Sequence, residues 1–287
     1  MLKKGKVRGI GSPFNLEWSS CSNIKPSYFE WSDQESDFDV FIDYAILEAY
    51  KHQNKKNVLK FGWLCESISI FENLYLNILY NYKNIFNHID YIFTSDEQLL
   101  SLDHRFKFCY SCSNIPWTSK DKWKIYNKTK KVSMICSEKK LCKLHEKRQR
   151  IAEKNKNSVD IYGGFLNSPK TGEKIDGFYN KENALKDYMF SIVVQNNDKP
   201  HFFAELLTDC FAFGTIPIYV GNPKINLFFD AKGIICINSE NELDNLVLSE
   251  ELYNSKYEHI KNNLEIIKNM EISDDYLYKQ CLKLMEI

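Results

Sequence analysis

Two carboxylates, Glu205 and Asp209, stand four residues apart in FFAELLTDCFAFGTIPIYVGNP, an apolar stretch that reads as a helix running through Gly214 into a buried strand. On a helix this spacing sets like charges side by side, which is mildly destabilising. Helix stability therefore does not account for Glu205. A carboxylate aimed into a cleft can accept hydrogen bonds from a sugar diol, each worth ~1.5–3 kcal/mol with a charged acceptor. A structural reading stands beside it, because Glu205 lies in the first turns, where the helix dipole favours negative charge. Phe203, Leu206, Leu207, Cys210 and Phe211 form the apolar stripe, and Glu205, Thr208 and Asp209 fall on a different side.

A second candidate is Glu66, which follows the apolar run LKFGWLC at the end of a predicted strand. A carboxylate there can take a proton from a hydroxyl, or it can simply neighbour the N-cap of the next helix. Asp43, inside DVFIDYAI, is a further carboxylate, although a mid-strand position points to solvent or a structural partner. The charged segment LHEKRQRIAEK carries Arg148 and Arg150, and taken alone it is a solvated helix face. No metal is expected. Asp37-Phe38-Asp39 has the form of a metal-diphosphate ligand pair but precedes a strand. Cys109, Cys112, Cys142 and His145 have zinc-ligand types, yet they sit on a strand-like run and a helix rather than on knuckle turns.

The elements that position these residues alternate strand and helix. Strands are predicted at Lys6–Ile10, Asp39–Ile46, Leu59–Cys65, Tyr91–Thr94 and Phe106–Tyr110, with a helix over Ile68–Ile85. Pro116–Lys131 is polar and without apolar pattern, and reads as an interdomain linker. A second series follows: the strand KVSMICS, a charged helix Leu141–Asn155, the strand Ser158–Phe165, a loop Lys170–Gly177 and the strand Tyr188–Gln195. After the helix ending at Gly214 come strands Thr215–Gly221 and Gly233–Asn238, then helix from Asn241 onward. Such alternation implies parallel βαβ units. The expected architecture is α/β, with two Rossmann-like doubly wound domains facing a cleft. The first domain spans residues 1–125, and the second spans residues 126–287 with the C-terminal helices. Ligands in such sheets bind beyond the carboxyl ends of the strands.

Composition narrows the function. The 287 residues carry 38 basic and 38 acidic side chains, and this balance argues against a general nucleic-acid binder. The opening MLKKGKVRGIGSPF lacks the apolar run of a secretory signal, and no stretch approaches a membrane span. Nine cysteines without an export signal read as reduced thiols, so a cytoplasmic location is expected.

The segment YMFSIVVQNNDKPHFFAELLTDCFAFGTIPIYVGNP resembles the donor-binding motif of family 10 glycosyltransferases, the α-1,3-fucosyltransferase family. Asn196 matches the motif asparagine, Glu205 the motif glutamate, and Gly214-Thr-Ile-Pro-Ile-Tyr219 with Gly221-Asn222-Pro223 the strand after the helix. The likeness covers residues 186 to about 250, and the N-terminal half resembles the family only loosely. It implies a glycosyltransferase B (GT-B) fold whose second domain binds a nucleotide sugar, typically a guanosine diphosphate sugar such as GDP-fucose, with no further cofactor.

By the same resemblance Glu205 would hold ribose hydroxyls, Asn196 would bind near the ribose or phosphate, and Phe202 would lie beside the nucleotide. An arginine of the charged helix would neutralise the diphosphate, with Arg148 the first choice and Arg150 the second. Glu66 would be the base of an inverting, metal-independent transfer to a carbohydrate hydroxyl, since Glu66-Ser67 matches the family's Glu-Ser-Pro context except at the proline. Two positions depart from the family. Leu206 stands where the phosphate-binding lysine is found, and Gln195 where a glutamate precedes the asparagine. Leu206 keeps two rivals open: a transferase using another nucleotide sugar, such as a uridine diphosphate sugar, or a non-catalytic nucleotide-sugar or carbohydrate-binding protein.

Overall fold

The computed structural model describes residues 4–12, 14–15, 18–21, 24–33, 36–52, 59–167, 174–175, 178–179 and 181–285. The chain forms two compact units, one of residues 1–114, 199–202 and 271–287, the other of residues 115–198 and 203–270.

The first unit holds strands β1 (Gly5–Ile10), β2 (Phe29–Ser32), β3 (Phe38–Ile42), β4 (Lys60–Trp63), β5 (Tyr91–Thr94) and β6 (Phe106–Phe108), with helices α1 (Glu72–Ile85) and α2 (Glu97–Leu102). They form one six-stranded sheet in the order β2-β1-β3-β4-β5-β6, every pair parallel. Strands buried on both faces read as continuous apolar runs, and β3 and β4 are buried at every position. β2 and α2 escape the sequence pattern. FEWS is too short to show a period, and α2 is a six-residue helix capped by Asp96, whose carboxylate accepts the Leu99 N–H.

The strand expected over Asp39–Ile46 ends at Ile42. From Asp43 the chain turns into a 3-10 helix that runs to Lys51. Asp43 has φ +48, a left-handed conformation that breaks the strand. Asp39 is a structural residue: Arg8 donates to both of its carboxylate oxygens, the Nε bond at 3.0 Å. Asp37 accepts the Lys6 N–H at 2.8 Å. Asp37-Phe38-Asp39 thus braces the start of β3, away from the carboxyl end of the sheet.

The second unit contains β7 (Lys130–Ile135), α3 (Lys143–Asn155), β8 (Asp160–Tyr162), the antiparallel pair β9 (Lys174–Ile175) and β10 (Phe178–Tyr179), α4 (Lys181–Leu185), β11 (Tyr188–Val194), α5 (Glu205–Phe213), β12 (Ile216–Val220) and β13 (Ile235–Cys236). Most of the loop expected at 170–177 lies outside the described residues. The main sheet runs β13-β12-β11-β7-β8, all parallel. β13 pairs with β12 only at Ile218 and Tyr219, past Pro217, which has no N–H to give a ladder.

Helices α6 (Glu240–Asp244), α7 (Glu250–Ser255), α8 (Tyr257–Asn269) and α9 (Ser273–Met285) finish the chain. The expectation that all C-terminal helices belong to the second domain fails at α9. Leu277 and Cys281 join the core of the first sheet with Val7, Trp31 and Phe61, and buried Asp274 accepts from Trp31 Nε1 at 2.8 Å. Nor is the 116–131 segment a free linker. Trp123 is buried, and Lys128 Nζ donates to the carbonyls of Lys186 (3.0 Å) and Phe213 (2.7 Å) near the ends of α4 and α5. No helix among the described residues is long and apolar enough to cross a membrane.

Candidate functional site

In the second sheet the crossovers leave β7 in opposite directions, through α3 to β8 on one side and back to β11 on the other. The gap beyond the carboxyl ends of β7 and β11 is therefore a topological switch point, the place where open α/β sheets leave room for a ligand. Arg148 reaches this point from α3. Its Nε donates to the Val194 carbonyl at 2.9 Å and its second guanidinium nitrogen donates to the same oxygen at 2.5 Å. Burial lowers the proton affinity of Arg148, while Cys136, Glu205 and Cys142 raise it. A guanidinium stays charged at any physiological pH. The other arginine points elsewhere: the Arg150 side chain is 60% exposed and lies 3.8 Å from Glu240. Two residues, about half a helix turn, separate the two environments, and local sequence does not say which arginine faces inward.

Asn196 lies two residues past the end of β11. Its Oδ1 is buried and has no hydrogen-bond partner among the described residues, whereas its backbone carbonyl accepts from Cys142 Sγ at 3.4 Å. A buried acceptor left unmatched costs about 1–3 kcal/mol, which is the signature of a group waiting for a ligand or water. Asn222, just past β12, has an Nδ2 in the same condition, with its Oδ1 accepting the Lys224 N–H at 2.7 Å. Gln195 explains one departure from the motif. It is buried, its N–H bonds the Val220 carbonyl, and its side-chain amide reaches the Ala204 carbonyl at 3.5 Å. An ionised glutamate there has no proton to donate.

Glu205 is the first residue of α5, and no side chain caps that helix. The stripe read from the sequence needs correction, because α5 is buried on nearly every side. Thr208 and Asp209 are fully buried, while Leu206 is only half-buried. The cation that reconciles Glu205 with Asp209 is Lys181, the first residue of α4. Its Nζ lies 3.2 Å from Glu205 Oε1 and 2.5 Å from Asp209 Oδ2, and 4.7 Å from the centre of the Trp117 ring. Asp209 also accepts the Trp117 N–H at 2.9 Å. Burial pushes the Asp209 carboxyl up to about 6 against the pull of Lys181, and Lys181 is held charged by its two carboxylates. Sequence reasoning missed Lys181. Its only signal was the demand that two carboxylates on a buried helix make for a cation.

Loops close around the switch point. Gly163 has φ +100, and a Cβ there would stand 2.2 Å from the Cys136 carbonyl oxygen, so the turn after β8 lies directly on the turn after β7. His145 accepts the Leu141 N–H on Nδ1, and burial with Arg148 and Lys139 nearby drives its pKa down to about 4. Cys142 and His145 are therefore occupied structurally. Cys109 is a buried core thiol, and no group of three or more metal-ligating side chains exists among the described residues.

Phe202 parts from this constellation. Residues 199–202 cluster with the first unit and Phe203 with the second, where Phe203 packs on Phe228 and Phe229, both with ring centroids at 4.9 Å. Phe202 itself is buried.

In the first unit the switch point lies between β1 and β3. Glu66 stands one strand further along, half-buried, in the turn after β4. That turn is held by Asp43, whose Oδ1 accepts the N–H groups of Cys65 (2.9 Å) and Glu66 (3.3 Å), and by the Tyr75 hydroxyl, which donates to the Glu66 carbonyl at 2.7 Å. Burial pushes the Asp43 carboxyl up to about 7, with the Glu66 charge adding to the effect.

No protein-family model matches the chain, and no curated protein matches it in sequence. Solved structures do match in fold. The crystal structure of an alpha1,3-fucosyltransferase with GDP aligns with 95% of this chain and 92% of its own, at 15% identity and a TM-score of 0.52. A second alpha1,3-fucosyltransferase crystal structure aligns over 94% and 83%, at 14% identity and 0.54. This chain has the GT-B fold. The crystal structure of TarM agrees, with 15% identity and a TM-score of 0.52 over 87% of this chain and 55% of its own. In GT-B terms, Arg148, Asn196 and Glu205 stand together in the second Rossmann-like unit, whereas Glu66 stands at a strand end of the first. A shared fold hosts many reactions, so the chemistry rests on these residues.

Proposed function

We propose that this chain is a glycosyltransferase of the α-1,3-fucosyltransferase kind, moving a sugar from a guanosine diphosphate sugar, GDP-fucose foremost, to a carbohydrate hydroxyl. The observation that carries the reading is the grouping at the switch point of the second sheet. A buried arginine bonded to the Val194 carbonyl, an asparagine oxygen without a partner among the described residues, and a helix-initial glutamate within electrostatic reach of that arginine gather near the end of β11. Arg148 offers fixed positive charge to the diphosphate as it departs, where charge builds in the transition state. Asn196 and Glu205 accept hydrogen bonds from the ribose. Glu66 in the first unit takes the acceptor proton, the transfer inverts the anomeric centre, and neither metal nor cofactor is required. The enzyme works in the cytoplasm.

Leu206 supports a second reading, in which the donor is a uridine diphosphate sugar or the protein binds without turnover, because a phosphate-binding cation is missing from α5. Calorimetry with GDP and UDP, on the wild type and on Glu205→Ala, decides between them. The expected result is GDP binding that Glu205→Ala weakens by ~1.5–3 kcal/mol, the worth of a charged hydrogen bond. Tighter UDP binding would overturn the donor, and unchanged affinity in Glu205→Ala would overturn the site. Release of GDP from GDP-fucose above the rate of spontaneous hydrolysis separates an enzyme from a binding module.

A further inference from the structure

We propose that Asp43 is the positioning residue of the first unit's site, the group that fixes the Glu66 turn in its working geometry and releases it when protonated. The proposal rests on the reading of Glu66 as the base.

Three independent features single out Asp43. The first is location. Asp43 follows β3 and Gly11 follows β1, the two strands that flank the switch point of the six-stranded sheet. Both residues are left-handed, with φ +48 and +75, and a Cβ on Gly11 would stand 2.6 Å from Ala45 Cβ. The two strand-end turns are thus in direct contact. The second is conformation. A left-handed non-glycine residue persists where its surroundings over-determine it, and such residues cluster at functional sites. The third is bonding. The Asp43 carboxylate accepts the Cys65 and Glu66 N–H groups, so it grips the backbone of the proposed base rather than its side chain. Asp43 is therefore no rival base. It acts through Glu66.

Bonds accepted by a carboxylate are about twice as strong as those accepted by a neutral group. Protonation of Asp43 weakens both at once and loosens the turn. The groups that face Asp43 are Glu66 and Cys65 from the turn after β4, Tyr75 from α1 and Cys112 from the segment after β6. None of the four is a cation, so the two N–H bonds from Cys65 and Glu66 are what favour the ionised form against burial. A turn that loses them while Asp43 stays buried holds the proton more tightly, so that the bonded turn gains as pH rises. Burial and the neighbouring Glu66 push its carboxyl up to about 7, which places the transition at neutral pH. Two other contacts remain when Asp43 is protonated: the Tyr75 hydroxyl on the Glu66 carbonyl, and the Cys112 N–H on the Cys65 carbonyl at 3.2 Å. The turn then loosens without unfolding.

Asp43→Asn tests the charge alone, since asparagine also tolerates a left-handed φ. Asp43→Gly keeps that backbone and deletes the side chain. Hydrogen exchange at the Cys65 and Glu66 amides, corrected for intrinsic rate, is followed across neutral pH. The wild type is expected to gain protection as pH rises through about 7, Asp43→Asn to show no such step, and Asp43→Gly to be weakly protected throughout. A second arm measures GDP release from GDP-fucose with lactose as the carbohydrate probe. Asp43→Asn is expected to lose the acid step in turnover and to fall about tenfold in kcat at alkaline pH, the size of a modest misplacement, with donor KM unchanged. The same exchange step in Asp43→Asn, or full protection in Asp43→Gly, would overturn the proposal. Wild-type turnover in Glu66→Gln would overturn the base assignment instead, and the exchange arm would still judge Asp43.

Discussion

Replacing Lys181 by methionine removes the cation between Glu205 and Asp209 but keeps most of the stem that lies against Trp117. Asp209 is then a fully buried carboxyl without a counter-charge. Its folded pKa is already raised, from an ordinary 3.8 to about 6, so its contribution favours the fold below pH ~4 and is lost as pH rises through about 6. Without Lys181 the carboxyl stays protonated to higher pH, and the loss continues where the wild type has levelled off. Each pH unit is worth about 1.4 kcal/mol. The titration-linked part of the destabilisation is therefore close to zero at about pH 5.5 and about 3 kcal/mol at about pH 8, provided the variant's carboxyl remains protonated there. That figure agrees with the ~3–5 kcal/mol typical of breaking a buried pair by deleting one partner. Urea unfolding of Lys181→Met at both pH values measures it. The double variant Lys181→Met/Asp209→Asn should lose the pH-dependent part, because asparagine still accepts the Trp117 N–H and carries no charge. An equal loss at both pH values, or a double variant as pH-sensitive as the single one, would refute the argument.

Arg148→Lys should weaken GDP binding by about tenfold or more in calorimetry, since lysine cannot bond Val194 through two nitrogens and still face a diphosphate. Arg150→Ala, on the exposed side of α3, should leave that affinity within about twofold; a larger effect at Arg150 than at Arg148 would reverse the assignment. Gly163→Ala should destabilise the second unit by ~2 kcal/mol or more in a urea melt, because a left-handed φ and a Cβ against the Cys136 carbonyl act together. A neutral Gly163→Ala would mean that the turns after β7 and β8 move apart freely.

Some of this was legible along the chain. Apolar runs bounded by turns located β4, β5, β11 and β12, because strands buried on both faces must be apolar throughout, whereas β1 and β7 were read from mixed runs, KVRGI and KVSMICS. Asn196 and Glu205 were found through a motif, and both stand at the strand end and helix start where a parallel sheet leaves room for ligands. Short elements were not legible: β2 and α2 are shorter than any period can reveal. The helical apolar stripe misled at Thr208 and Asp209, since a helix buried on nearly all sides obeys no single stripe.

What the sequence by itself determined is the class of architecture, two series of parallel strands with crossover helices, and it pointed to Asn196 and Glu205 as candidates for the proposed donor site. These depend on local pattern, which each segment carries within itself. The tertiary structure alone decided which charges meet. It turned Arg148 inward and Arg150 outward, and it brought Lys181 between two carboxylates more than twenty residues away. It also placed α9 on the first sheet, and it set Asp43 against the backbone of Glu66. Pairing of this kind depends on the path of the chain through space, and charges far apart in sequence carry no local record of their partners.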